Sequence, residues 1–274
     1  MDSWARRRRD DTLVRIGFHQ VGPAPLLGAI FARAAEGPAR LRLEFRHVQP
    51  DEVAEALHSG EVDVVFAWGP RRIDGVRTQQ LCEEERVLLV PADSELAGTR
   101  DGLARDGMAR DGLSKDGLAW GGLSTDGLPS DGLSPDRLSP AGLSLDALAD
   151  VPFLVPAASD PEFVRWALVE PRPGGKPAPR GPVVRDFDEA LACVAVGLGV
   201  HLVPRSVAES VNHAGIVALP VRDIPPSSYL MFLPARVTSS VGTAFVELVL
   251  RVRAAQAASG TPVAGVRRRD ERAR

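Results

Sequence analysis

The sequence predicts an α/β protein of two small lobes, with a low-complexity insert between structured parts. Three observations predict it. From residue 13 onward, short apolar runs alternate with amphipathic stretches, the order that builds parallel strands joined by helical crossovers. The same alternation resumes after residue 150. Between them, residues 101–150 follow a five-residue period that matches neither the 3.6 of a helix nor the 2 of a strand.

The elements follow in order. Leu13 to Phe18 reads as a buried strand. Pro23 opens a helix patterned by Leu26, Leu27, Ile30 and Phe31, and Gly37-Pro38 ends it. Leu41, Leu43 and Phe45 alternate as a strand, Pro50-Asp51-Glu52 opens a helix closed by Gly60, and Val62 to Ala67 is a third strand. Val76–Leu81 and Arg86–Val90 read as two more. Leu or Met then recurs at every fifth position from 103 to 148, mostly preceded by Asp-Gly, a turn-forming pair. A row of inward Asp would be too costly to bury in a stacked solenoid, so this is expected to be a disordered pentapeptide-repeat insert. Its last copies, Leu143 to Leu148, are the candidate for a short helix.

After the insert, Pro152–Pro156 is a strand and Asp160-Pro161-Glu162 opens a helix carrying Phe163 and Trp166. A Pro/Gly loop spans 171–182 and Val183-Val184 is a strand. Asp186 and Glu189 have capping-box spacing before a helix that stops at Gly197. Strands at 200–203, 216–219 and 229–233 and a long helix from about 239 to 257 complete the body.

Composition bounds the function. The chain has 274 residues, 44% hydrophobic and 25% charged, enough for a core. A net charge of −3 gives no global attraction for nucleic acid. Two distant cysteines, Cys82 and Cys193, exclude a disulfide scaffold and a thiolate zinc site. No apolar run reaches membrane-spanning length, no secretory signal is expected from the N-terminus, and a cytoplasmic location is expected. No Gly-x-Ser-x-Gly elbow or metal-binding His spacing occurs, and Gly197-Leu198-Gly199 follows a helix where a dinucleotide fingerprint would follow a strand. No cofactor and no metal is expected, and the chain is read as a non-enzyme.

The strings Leu13-Val14-Arg15-Ile16-Gly17, Gly60-Glu61-Val62-Asp63 with its following strand, and Val194-Ala195-Val196-Gly197-Leu198-Gly199 running to Pro204 have a further meaning in this order. Together they resemble the effector-binding domain of LysR-type transcriptional regulators over about residues 12–98 and 150–255. The resemblance implies a two-lobed, type 2 periplasmic-binding-protein-like α/β fold that closes over a small-molecule effector and pairs as a homodimer. Lobe I would be 12–91 plus 226–257, lobe II 150–225, the insert 92–149, and the tails 1–11 and 258–274 disordered, with hinge crossings near Pro91 and Pro225. The first strand already begins at Leu13, so this chain is expected to lack the family's winged helix-turn-helix and to bind DNA only if that segment is restored. A solute-binding protein of the same fold, a stand-alone sensor, and an enzyme on this fold are the alternatives.

In such folds ligands bind at the carboxyl ends of strands against helix N-termini, where free N–H groups favour an anion. The candidate ligand-binding residues are His19, Gln20 and Gly22 after the first strand, Gln49 before the second helix, Trp68 after the third strand, and Ser159 and Asp160 in the second lobe. The family pattern adds His201. Each has a structural role open to it: Gln49 and Ser159 as helix caps, Trp68 as hinge packing, His201 as a core histidine. Family members often carry Ser or Thr where Phe18-His19-Gln20 stands, so the effector here need not be the usual carboxylate.

Overall fold

A computed structural model describes residues 12–37, 40–70, 72–98, 138–139, 142–172, 175–237 and 239–259. The first part of the chain forms β1 (Leu13–Phe18), α1 (Ala24–Glu36), β2 (Arg42–His47), a 3₁₀ turn (Pro50–Glu52) running into α2 (Val53–His58), β3 (Val64–Trp68), β4 (Val76–Glu84), β5 (Arg86–Pro91) and α3 (Glu95–Gly98). Next come β6 (Leu138–Ser139), β7 (Gly142–Leu143), a second 3₁₀ turn (Asp146–Leu148), β8 (Phe153–Pro156), α4 (Pro161–Leu168), β9 (Arg180–Val184) and α5 (Phe187–Ala195). The chain continues with β10 (His201–Pro204), α6 (Arg205–Glu209), β11 (Ile216–Pro220), β12 (Ser227–Pro234) and α7 (Ser240–Ser259).

The first lobe is a five-stranded sheet in the order β2-β1-β3-β12-β4. β1 lies parallel to β2 and β3, and β12 returns antiparallel between β3 and β4. β3 is buried along its whole length. Val64, Phe66 and Trp68 join the core with α1 and α7, while Val65 and Ala67 face the core with α2. A continuous apolar run is what a central strand covered on both faces requires. α1 presents Leu26, Ile30 and Ala34 to the sheet, and α7 presents Val241, Phe245, Val249 and Val252, both at helical spacing.

The second lobe holds the antiparallel sheet β10-β5-β11 and the parallel pair β8-β9, linked by a bridge between Phe153 and Val200. This corrects the expected placement of residues 86–91 in the first lobe, because β5 pairs with β10 and β11. Only Glu85 separates β4 from β5, too little for a hairpin turn, so the chain passes directly from one sheet to the other. The first crossing is therefore at residues 84–86 rather than at Pro91, and the second lies between β11 and β12.

The expected insert, 92–149, is also corrected at both margins. Leu96, Ala97, Leu143 and Leu148 belong to the second-lobe core with Leu88, Val90 and Phe153. Gly142 adopts φ +110°, where a Cβ would lie 2.7 Å from the Pro220 carbonyl oxygen, so only glycine lets Leu143 bridge to Val221. The expected short helix at 143–148 is the 3₁₀ turn Asp146–Leu148, capped by Ser144 Oγ on the Ala147 N–H. The repeat copies between 99 and 137, residues 1–11 and residues 260–274 lie outside the described residues. α7 reaches Ser259, so 258–259 are helix where a tail was expected.

Leu148 is fully buried, so Leu148→Ala should destabilise the protein by about 2–5 kcal/mol in denaturant unfolding. A cost near zero would mean that the last repeat copy is not part of the core.

Candidate functional site

The carboxyl end of β1 in the first lobe faces α4, α5 and β10 of the second across a cavity. His19 and Gln20 line it from one side. Phe163 and Trp166 of α4, Phe187 of α5 and His201 of β10 line it from the other. The cavity has a volume of about 40 Å³ and opens to solvent. Three aromatic rings share the wall with His19, Gln20, Arg185, Asp186 and His201, so apolar surface and polar groups both face the space.

Each wall is positioned by a local sequence rule. α4 starts at Asp160, whose Oδ1 accepts the Glu162 N–H at 2.9 Å. α5 starts at Asp186, whose Oδ1 accepts the Glu189 N–H at 2.8 Å. The Glu189 carboxylate returns a bond one residue earlier than a capping box has it, accepting the Arg185 N–H at 2.7 Å. Asp186 thus sits in the cavity wall with its carboxylate engaged in capping.

Behind the wall lies Arg86, the first residue of β5 and only 2% exposed. Its Nη1 and Nη2 donate to the carbonyl oxygens of Trp166 and Ala167, at 3.0 and 3.1 Å. Its guanidinium carbon stands 4.5 Å from the Trp166 ring centre, a cation–π contact. Nε is buried without a hydrogen-bond partner, and no salt bridge to Arg86 exists among the described residues. Burial lowers its pKa to about 9. His201, one face of the cavity, is held down to about 4, first by desolvation and then by the positive charge of Arg86. At neutral pH the imidazole is uncharged and can both donate and accept.

The other sequence candidates are placed differently. Gly22 lies against Tyr229: a Cβ there would overlap the buried phenol hydroxyl. Trp68 is buried, packs with its ring tilted 49° and centred 4.7 Å from the Tyr229 ring, and donates its indole N–H to the Val21 carbonyl at 3.0 Å. Gln49 precedes the first 3₁₀ turn and donates its N–H to Glu52 Oε2 at 3.0 Å. The Ser159 N–H donates to Asp51 Oδ2 of the first lobe at 2.8 Å. His19, Gln20 and His201 come together in the cavity; Gly22, Gln49, Trp68, Ser159 and Asp160 do not line it. Sequence reasoning missed Arg86, Phe163, Trp166 and Phe187 as site residues. For Arg86 a signal exists: one cation heading the run Val87-Leu88-Leu89-Val90, where an exposed charge would be out of place.

Two predictions follow from this chemistry. Arg86→Met leaves the carbonyls of Trp166 and Ala167 without donors and should cost about 2–4 kcal/mol in chemical denaturation. His201 has a folded pKa of about 4 against 6.5 when unfolded, so below 6.5 the unfolded chain takes up the proton first. Its contribution to stability is complete above pH 6.5 and declines as pH falls towards 4. His201→Gln should flatten the loss in that window, measured as melting temperature against pH; an unchanged slope would place the imidazole in water.

The comparisons agree with this architecture. The family model described as the LysR substrate binding domain matches residues 7–111 and 133–254. No curated protein matches the chain by sequence. Among solved structures, the effector-binding domain of BenM with its effector benzoate is similar at TM-score 0.60 and 20% identity, covering 91% of this chain and 96% of that one. The reduced OxyR regulatory domain from Pseudomonas aeruginosa is similar at TM-score 0.57 and 17% identity, over 88% and 95%. Full-length CbnR bound to its target DNA is similar at TM-score 0.60 and 17% identity, over 88% of this chain and 70% of that one. The family is one of transcriptional regulators and not of enzymes. With the family model covering both lobes, the chain belongs to the LysR substrate-binding domain family and is a small-molecule effector-sensing domain of that kind.

Proposed function

We propose that the effector of this domain is a small organic anion with an apolar or aromatic body, bound between His19 and Gln20 on one side and His201 and Phe187 on the other. The observation that carries this reading is Arg86: a buried cation behind the cavity wall with carbonyl and ring partners and no carboxylate. An anion in the cavity would supply the charge that burial leaves uncompensated. The wall rings Phe163, Trp166 and Phe187 would take the apolar body. Gly22, Gln49, Trp68, Ser159 and Asp160 act one step behind, by shaping the loops and helix ends that face the cavity.

Binding shifts the lobes towards one closure state, and a pair of such domains passes that shift to the regulator's DNA-binding part. The domain works as a homodimer in the cytoplasm, as a binding module that turns nothing over and needs no cofactor. DNA contact belongs to a helix-turn-helix segment of the regulator.

A thermal-shift screen of small organic acids against neutral and cationic analogues tests this. Acids should raise the melting temperature, and Gln20→Ala should weaken the best of them by about 1 kcal/mol of binding free energy. A response confined to cations or to neutral sugars, or turnover of the bound acid, would overturn the reading.

A further inference from the structure

Asp51 lies on the 3₁₀ turn Pro50–Glu52 of the first lobe, and its Oδ2 accepts the backbone N–H of Ser159 in the second at 2.8 Å. Its position is set from below: Pro50 is buried, and Glu52 Oε2 holds the Gln49 N–H at the start of the turn. Ser159 immediately precedes Asp160, the N-cap of α4. The carboxylate therefore meets the positive end of the helix dipole. At the other end of α4, Arg86 holds the Trp166 and Ala167 carbonyls. Helix α4 is thus held at its C-terminal end by its own lobe and at its N-terminal end by the other. A second contact lies beside the first. Gly69, with φ +99°, follows β3 of the first lobe, and a Cβ there would stand 3.2 Å from Trp166 and 3.3 Å from Phe163. Both contacts are lost if the lobes separate, and both fall on the helix that walls the cavity.

We propose that Asp51 is a latch between the lobes: a carboxylate of the first lobe that draws α4 of the second over the cavity when no effector is bound. The latch needs lobes that move, as the effector reading also supposes, but it needs no effector. It sets how closed the empty domain is and so how much closure remains for a ligand to add. A charge-assisted bond of this type changes the ratio of closed to open forms by about ten-fold.

The test compares the full chain with Asp51→Ala and Asp51→Asn, without any ligand, by amide hydrogen exchange and small-angle X-ray scattering. Asp51→Ala should speed exchange at Ser159 about ten-fold and lengthen the maximum dimension of the particle. Asp51→Asn keeps an oxygen acceptor without the charge and should fall between. Faster exchange with unchanged scattering in both variants would reduce the contact to a local bond and overturn the latch. No change in either measurement would show that the bond does not form in solution. A circular-dichroism melt shows that each variant is folded; if Asp51→Ala does not fold, the intermediate or unchanged behaviour of Asp51→Asn decides. The effector reading fails by a different sign, the absence of any acid-induced thermal shift in the unaltered protein.

Discussion

The architecture turns on one buried cation. Taking a guanidinium out of water costs several kcal/mol even after relaxation, and Arg86 has no carboxylate to offset it. What it has is the C-terminal end of α4, where two carbonyls project unsatisfied and the helix dipole is negative, and the face of Trp166. A planar fork with two parallel donors and a stackable face suits this; a lysine ammonium has donors but neither the fixed fork nor a face to stack on Trp166. Because Arg86 opens β5, directly after the chain leaves the first sheet, the bond ties α4 to the crossing between lobes. The places of Phe163, Trp166 and the Ser159 N–H follow from that tie.

Much of the fold was legible because its elements obey local rules. Val14 and Ile16, Leu26, Ile30 and Ala34, and Val241 to Val252 carry the period of the element they occupy. The sheet to which β5 belongs was not legible from its own run, since Val87 to Val90 would be equally apolar in either lobe. The deciding fact is negative and non-local: a single residue, Glu85, separates it from β4, and no hairpin turn fits. The charged run Glu83-Glu84-Glu85-Arg86, just before the apolar Val87 to Val90, marks the place where the chain changes sheets. Burial there raises the Glu84 pKa, opposed by the Ser206 N–H that its Oε2 accepts at 2.9 Å.

In the site, legibility divides by the distance in sequence of the partner that fixes each residue. His19, Gln20 and His201 reach the cavity because strand ends and the order of elements put them there. Trp68 and Gly22 are claimed by Tyr229, more than 150 residues later, and nothing near either position announces it. The repeat shows the same division. Its period is uniform in sequence, yet Leu143 and Leu148 are core residues because Pro220, Val221 and Asp223 receive that stretch, Asp223 Oδ1 by accepting the Leu145 N–H at 2.8 Å. The pentad supplies the glycine and the leucine; a distant strand receives them.

The two perturbed groups beside the cavity are linked in one direction. Desolvation first, and then repulsion by the charge that Arg86 holds in its buried position, keep His201 neutral. The cavity thus has a positive charge, Arg86, behind a wall that also carries Arg185 and Asp186, with a neutral imidazole able to act as donor or acceptor. An anion entering it would reverse both shifts, raising the pKa of Arg86 and of His201 together, and below the ordinary histidine range it would take up a proton on binding. Neutral ligands would meet the same aromatic walls without that gain. On the proposed reading, a preference for an anion would start from the helix end that recruited the arginine, before any side chain that touches the ligand is considered.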